Sequence, residues 1–394
     1  MPHTKSINQL TSLRFFAAAA IVFHHSKEAF ELTRGLVSPI PLDFSVSFFF
    51  VLSGFILTYT HRELKGRGEV LNYYAARVGR IWPVHLLSML LVVLMLPSGV
   101  WMPSMLKEQA LEITLANLFL LHAWVPVSGY FFSYNGVSWS ISTELFFYLA
   151  FPWLVRDWAR TWHGKSVFVV AVSLGLVLAA TLLGMPAVDF QKPMTVSSTG
   201  IVYISPFVRI AEFLIGIWTA KAFLRIAAHP FSGSFFWTVI EALSLGLVYV
   251  VGSFCMAIIR SGSDLQAWQI YVGASGGALA FAICIAVMAI GQGQISRLLA
   301  FRPLVTLGQA SFALYMTHQI FINFIFVNRS AYFSEVPDTM LLACYWLWCI
   351  GISIAIYFYV EQPSRNRIRS WLRIPVSTRS SSASSESYAE RTKP

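Results

Sequence analysis

Apolar residues in this chain come in long runs separated by short polar stretches. A helix crossing the hydrocarbon core of a bilayer needs about 20 mostly apolar residues. Ten segments qualify: 10–27, 44–60, 81–101, 139–156, 166–185, 203–221, 234–258, 268–292, 303–327 and 339–360. The run from Ala110 to Pro126 is shorter and carries Glu112 and His122, so it reads as an interfacial or re-entrant helix. The predicted fold class is all-α, a polytopic membrane helix bundle of about ten transmembrane helices. It forms one domain over residues 1–370, and the Ser-rich, charged residues 371–394 are expected to be a disordered cytoplasmic tail.

Composition agrees. Of 394 residues, 56% are hydrophobic and 12% charged, against about 25% charged in soluble domains. So much apolar surface requires lipid as its solvent. The net charge of +10 would suggest a nucleic-acid partner in a soluble protein. Here the basic residues cluster between apolar runs. Ten spans place 20 of the 28 Lys and Arg on one side and six on the other, with Arg14 and Arg209 inside spans. The basic side is expected to be cytoplasmic and to hold both termini. The apolar run from Leu13 to Phe23 contains Arg14 and lacks a small-residue cleavage site, so it is expected to be a retained first helix. Cys255, Cys284, Cys344 and Cys349 lie in apolar runs without metal-ligand spacing.

Ionisable groups inside spans cost about 2.5–3.5 kcal/mol each on insertion scales and usually mark a cavity or a pair. Arg14 and His25 are eleven residues apart on one helix. That spacing returns to within about 20° of the same face, roughly 16 Å further along the axis. A cation and a candidate general base thus share a stripe, unless Arg14 snorkels and His25 is interfacial. Ser53 and Gly54 form a small step in an aromatic helix, for which close helix packing is the plainer role. Arg77 and Arg80 share a face at the start of the third span, with Pro83 expected in its first turn. They suit phosphate binding or plain positive-inside anchoring. Glu144 follows Trp139 and Ser140 into the fourth span, at the depth expected for His25. It suits orienting that imidazole, or capping its own helix. Arg209 and Glu212 read as a structural i, i+3 ion pair, while Glu241 and His318 have no role on spacing alone. No nucleotide loop, zinc-protease or nucleophile-elbow motif appears in its required context.

Six separated segments resemble, in order, the motifs of the acyltransferase-3 family of membrane O-acyltransferases. They are Arg14 with His25, Phe49 to Phe55, Arg77 to Pro83, Ser138 to Glu144 with Tyr148 and Pro152, Leu307 to Phe312 with Tyr315 and His318, and Val360 to Pro363. Ser47 stands where Asp is also common in the family, and Phe312 replaces the usual Tyr. The resemblance implies a multi-pass protein of the bacterial inner membrane. It would move an acyl group, acetyl in the first instance, from cytoplasmic acyl-coenzyme A to a carbohydrate hydroxyl on the far side. His25 would be the general base, with Glu144 beside it as the second catalytic residue. Arg14, Ser53, Arg77, Arg80, Trp139, Ser140 and His318 would bind substrate, with Arg77 and Arg80 on the coenzyme A phosphates. No metal or permanently bound cofactor is implied. The family often carries a fused esterase-like domain; none is read here, so any help from such a module would come from a separate extracytoplasmic partner. Two other readings stay open: a transporter of a lipid-linked sugar or small anion, and an acyltransferase for a lipid or small secreted acceptor.

Overall fold

The computed structural model describes residues 6–62, 64, 66–226, 233–262 and 265–371, the side chain of Arg369 excepted. The tail expected to be disordered lies outside the described residues from 372 onward. The helices run in order α1 (Asn8–Ser26), α2 (Ser45–Thr60), α3 (Arg67–Met95), the single turn α4 (Ser98–Trp101), α5 (Ala110–Leu118), the single turn α6 (Ser128–Phe131), α7 (Trp139–Val155) and α8 (Trp158–Leu182). They continue with α9 (Pro206–Ile226), α10 (Ser234–Arg260), α11 (Gln266–Ser275), α12 (Ala278–Ile290), α13 (Gln294–Leu299), α14 (Arg302–Tyr332), α15 (Asp338–Ile356) and α16 (Gln362–Trp371). Among the described residues the only β pairing is an isolated bridge between Val127 and Val196. The chain is an all-α membrane bundle.

Eight helical segments among the described residues are long and apolar enough to cross a bilayer. The remaining two of the ten expected segments are also helical. α1 is diluted by Gln9, Arg14, His24 and His25, and α7 is only 17 residues long. The expected span 268–292 is broken between Ser275 and Ala278, where the bare Gly277 packs under the Phe44 ring. The run from Ala110 is α5 followed by a 3-10 turn at His122–Trp124. Its Ile113, Asn117 and His122 are buried while Leu111, Leu115 and Phe119 are exposed.

One expectation about the third span is corrected. α3 begins at Arg67, so Arg77 and Arg80 lie inside the helix and Pro83 lies in its interior. An interior proline gives up one backbone hydrogen bond and crowds the carbonyl four residues earlier. That residue is Gly79, whose bare Cα also receives Ile368 of α16.

Two helix crossings build the frame. α2 and α9 meet where a Cβ on Gly54 would strike the Phe213 carbonyl and one on Gly216 the Val51 carbonyl. α1 and α14 meet at Gly308, where a Cβ would strike the Thr11 carbonyl. Small residues let backbones touch in lipid, where dispersion replaces the hydrophobic drive. The pair Arg209–Glu212 is in place at 3.0 Å with both side chains buried. The guanidinium also sits 5.0 Å from the Phe50 ring and 5.5 Å from that of Tyr203. Glu241 accepts hydrogen bonds from the backbone N–H groups of Gly293 (3.0 Å) and Ser296 (3.2 Å), capping α13.

Candidate active site

Four of the motif helices, α1, α2, α3 and α7, enclose a cavity of about 140 Å³ with α14. Its walls are mostly apolar, with Phe49, Phe50, Ile56 and Ile81 among them. Its polar groups are few: Arg14, Ser53, Arg77, Arg80, Ser140, Glu144, Tyr148, Ser311 and Tyr315 are prominent. The nine residues singled out from the sequence as site candidates fall into three places here. Arg14, Ser53, Arg77, Arg80, Ser140 and Glu144 line the cavity. His25 and His318 form a separate pair, and Trp139 lies behind the wall between Phe50 and Tyr203, at ring separations of 6.3 and 5.0 Å.

Glu144 organises the cavity. The Tyr148 hydroxyl donates to Glu144 Oε1 at 2.5 Å and the Ser53 hydroxyl at 3.1 Å. Both donors follow from helix geometry. Tyr148 is one turn beyond Glu144 on α7, and Ser53 points inward because its neighbour Gly54 occupies the crossing with α9. Glu144 is also within electrostatic reach of Arg14, Arg77 and Arg80. Arg77 lies 5.8 Å from the Tyr73 ring and 5.9 Å from the Tyr148 ring, and its buried Nε has no hydrogen-bond partner. Three guanidiniums therefore share one lining carboxylate. Buried Glu361 acts on Arg14 and Arg80 from outside the lining, and one of its oxygens is unpartnered. Desolvated cations need compensation, and these two carboxylates supply part of it. Glu361 lacked any sequence signal beyond its place in the closing motif. Tyr148 and Tyr315 were legible only as motif members.

At one end the Ser140 hydroxyl lies 2.9 Å from that of Tyr315, and both approach the Val137 carbonyl, at 3.1 and 3.0 Å. The Tyr315 ring touches the cavity and also sits 5.8 Å from the His318 ring. Beyond it, His25 Nδ1 is 2.8 Å from His318 Nε2, with the rings within 3° of parallel. One expectation changes here, and another gains detail. Glu144 does not orient His25; its oxygen is engaged by Ser53 and Tyr148, and His25 has His318 as its partner. Nor does the stripe from Arg14 to His25 run as one open channel, because His25 is outside the cavity lining and Tyr315 stands at that end. The stripe passes from α1 to α14 instead, along Ser311, Tyr315 and His318, spaced four and three residues apart.

Comparison with known proteins identifies the family. A family model described as an acyltransferase domain matches residues 7–364. The chain is 27% identical over 338 residues to acyltransferase MdmB of Streptomyces mycarofaciens, covering 82% of this chain and 81% of that one. It is 27% identical over 329 residues to exopolysaccharide production protein ExoZ of Rhizobium meliloti, covering 82% and 90%. It is 21% identical over 383 residues to O-acetyltransferase OatA of Staphylococcus aureus, covering 91% of this chain and 57% of that protein. No solved structure matches the chain. With nearly the whole helical bundle inside the match and the motif residues gathered around one cavity, the chain belongs to the acyltransferase-3 family and is an acyltransferase.

Proposed function

We propose that this enzyme transfers an acyl group, acetyl in the first instance, from acyl-coenzyme A to a hydroxyl of a carbohydrate acceptor. The observation that carries the reading is the convergence of Arg14, Arg77 and Arg80 on an apolar cavity that ends at two hydroxyls beside a histidine pair. The names of two relatives, an O-acetyltransferase and an exopolysaccharide production protein, support the transferred group and the acceptor class.

On this reading the cavity takes the narrow acyl end of the donor and leaves the nucleotide outside. Arg77 and Arg80 hold its phosphates through charge-assisted hydrogen bonds, and Arg14 lines the path. Glu144 keeps these cations from repelling one another and fixes Ser53 and Tyr148 in the wall. The thioester carbonyl lies towards Ser140 and Tyr315, whose hydroxyls donate within the wall, to the Val137 carbonyl and to each other, and would turn from there to a developing oxyanion. His25 acts as general base on the acceptor hydroxyl. The basic face of the bundle is cytoplasmic, so donor and acceptor arrive from opposite sides.

Membranes supplied with radiolabelled acetyl-coenzyme A test the chemistry. Label is expected to pass into host glycan and free coenzyme A to appear in equal amount. A transporter would leave the thioester intact. Mass spectrometry of host glycans, with and without His25→Ala, identifies the acyl group and the acceptor together. The substituted protein is expected to insert normally and to lose transfer by at least roughly 10²-fold. Activity like that of the wild type would falsify the base assignment.

A further inference from the structure

We infer that His318 is the positioning residue for His25, holding its imidazole in the tautomer whose Nε2 carries the lone pair. The inference rests on the proposed role of His25 as base and adds what sets that base.

The argument starts from a carbonyl, which can only accept. His318 Nδ1 lies 2.7 Å from the Tyr315 carbonyl, one turn back on α14. In the neutral ring Nδ1 must therefore carry the hydrogen, which leaves Nε2 with the lone pair. That Nε2 is 2.8 Å from His25 Nδ1, so His25 Nδ1 is the donor and its own Nε2 is bare. His25 Nε2 makes no hydrogen bond to any described residue, and the ring is only half-buried. His318 is fully buried, and its position is fixed from within its own helix. One backbone carbonyl thus sets the hydrogens of two rings in series, and the second presents a free base at the outer end of α1.

The same bonds follow the reaction through. The acceptor O–H gives its proton to His25 Nε2 while its oxygen bonds to the acyl carbon. The C–S bond then breaks, and the thiolate takes the proton back from Nε2. Ester and thiol leave, and His25 is neutral again. Throughout, Nδ1–H keeps its bond to His318 Nε2, so no proton needs to reach His318. A second proton on the pair would place two cations 2.8 Å apart. His318 is thus a neutral orienter, where the Ser-His-Asp arrangement uses a carboxylate for the same task.

The test uses the full-length protein in nanodiscs with ¹⁵N-labelled histidine, the His25 signals being assigned by their loss in His25→Ala. In wild type, His25 is expected to show a protonated Nδ1 and an unprotonated Nε2. His318→Leu is expected to populate both tautomers and to lower glycan acylation roughly 10²-fold, with KM for acetyl-coenzyme A unchanged. His318→Gln offers an amide oxygen to the Nδ1–H, and is expected to restore the single tautomer and most of the activity. A wild-type His25 protonated at Nε2 overturns the inference whether or not any variant folds. So does a single tautomer surviving in His318→Leu, or a Gln variant no better than Leu. Loss of activity in His25→Ala with a fully active His318→Leu would leave the base reading standing and remove only the role of His318.

Discussion

At the scale of single residues, Glu144 shows how a half-buried charge inside the bundle is made tolerable. A lone carboxylate in a span is costly, but here it receives two hydroxyl donors and sits among three arginines. Removing it leaves the Ser53 and Tyr148 hydroxyls without their acceptor and three neighbouring cations without their lining carboxylate, and an unsatisfied hydrogen-bonding group costs about 1–3 kcal/mol. Glu144→Ala is therefore expected to lower the thermal midpoint of the detergent-purified protein sharply. Glu144→Gln keeps an acceptor for Ser53 and Tyr148 and should lose clearly less. Equal midpoints for the two variants would show that charge, and not the hydrogen bonds, is all that matters. The arginines give a separate outcome. Arg77→Ala and Arg80→Ala should each raise KM for acetyl-coenzyme A about tenfold or more, the worth of one charge-assisted hydrogen bond. The dependence on acceptor should stay put; a change confined to the acceptor would place the phosphates elsewhere.

Among elements, the crossings decide which side chains face the cavity. Gly54 and Gly216 are in backbone contact with the opposite helix, so a single methyl at either must push α2 from α9. Gly54→Ala and Gly216→Ala are expected to destabilise by about 1–3 kcal/mol and to reduce the yield of monodisperse protein in size-exclusion chromatography. Gly175→Ala is the control, since nothing lies within 4 Å of a Cβ there and helix propensity alone favours Ala. Glu241 is a second element-level device, joining α10 to the start of α13 through two backbone N–H groups. Glu241→Ala should cost about 1–2 kcal/mol without altering KM for either substrate.

For the whole molecule, charge distribution and helix count bear on the same question. Eight apolar spans, or ten with α1 and α7, both return the chain to the side from which it started. Reporter fusions at residue 1 and residue 394 are expected to read out on the cytoplasmic side. A fusion in the α10–α11 connection, near Arg260, should read out on the opposite side. Opposite locations for the two termini would require an odd number of crossings and would put Arg77 and His25 on the wrong sides for the proposed transfer.

The sequence by itself determined that this is a membrane bundle, since no water-soluble fold can hide so many apolar runs. It also marked the informative residues, because an ionisable side chain in a span must have a reason to be there. Helical spacing placed Arg209 with Glu212, and 11 residues placed Arg14 and His25 on one stripe. Partners between helices were beyond its reach. Depth along the bilayer suggested Glu144 for His25, but depth says nothing about rotation of one helix against another. The contacts at Gly54, Gly216 and Gly308 set those rotations. They turn Ser53 towards Glu144 and bring His318, a residue 293 positions away in sequence, to His25. Likewise Pro83 looked like a helix start, because the sequence alone does not show that α3 already begins at Arg67. Local patterns encode which residues a span contains and which face they share. Which of those faces meet is a property of packing, and only the folded bundle decides it.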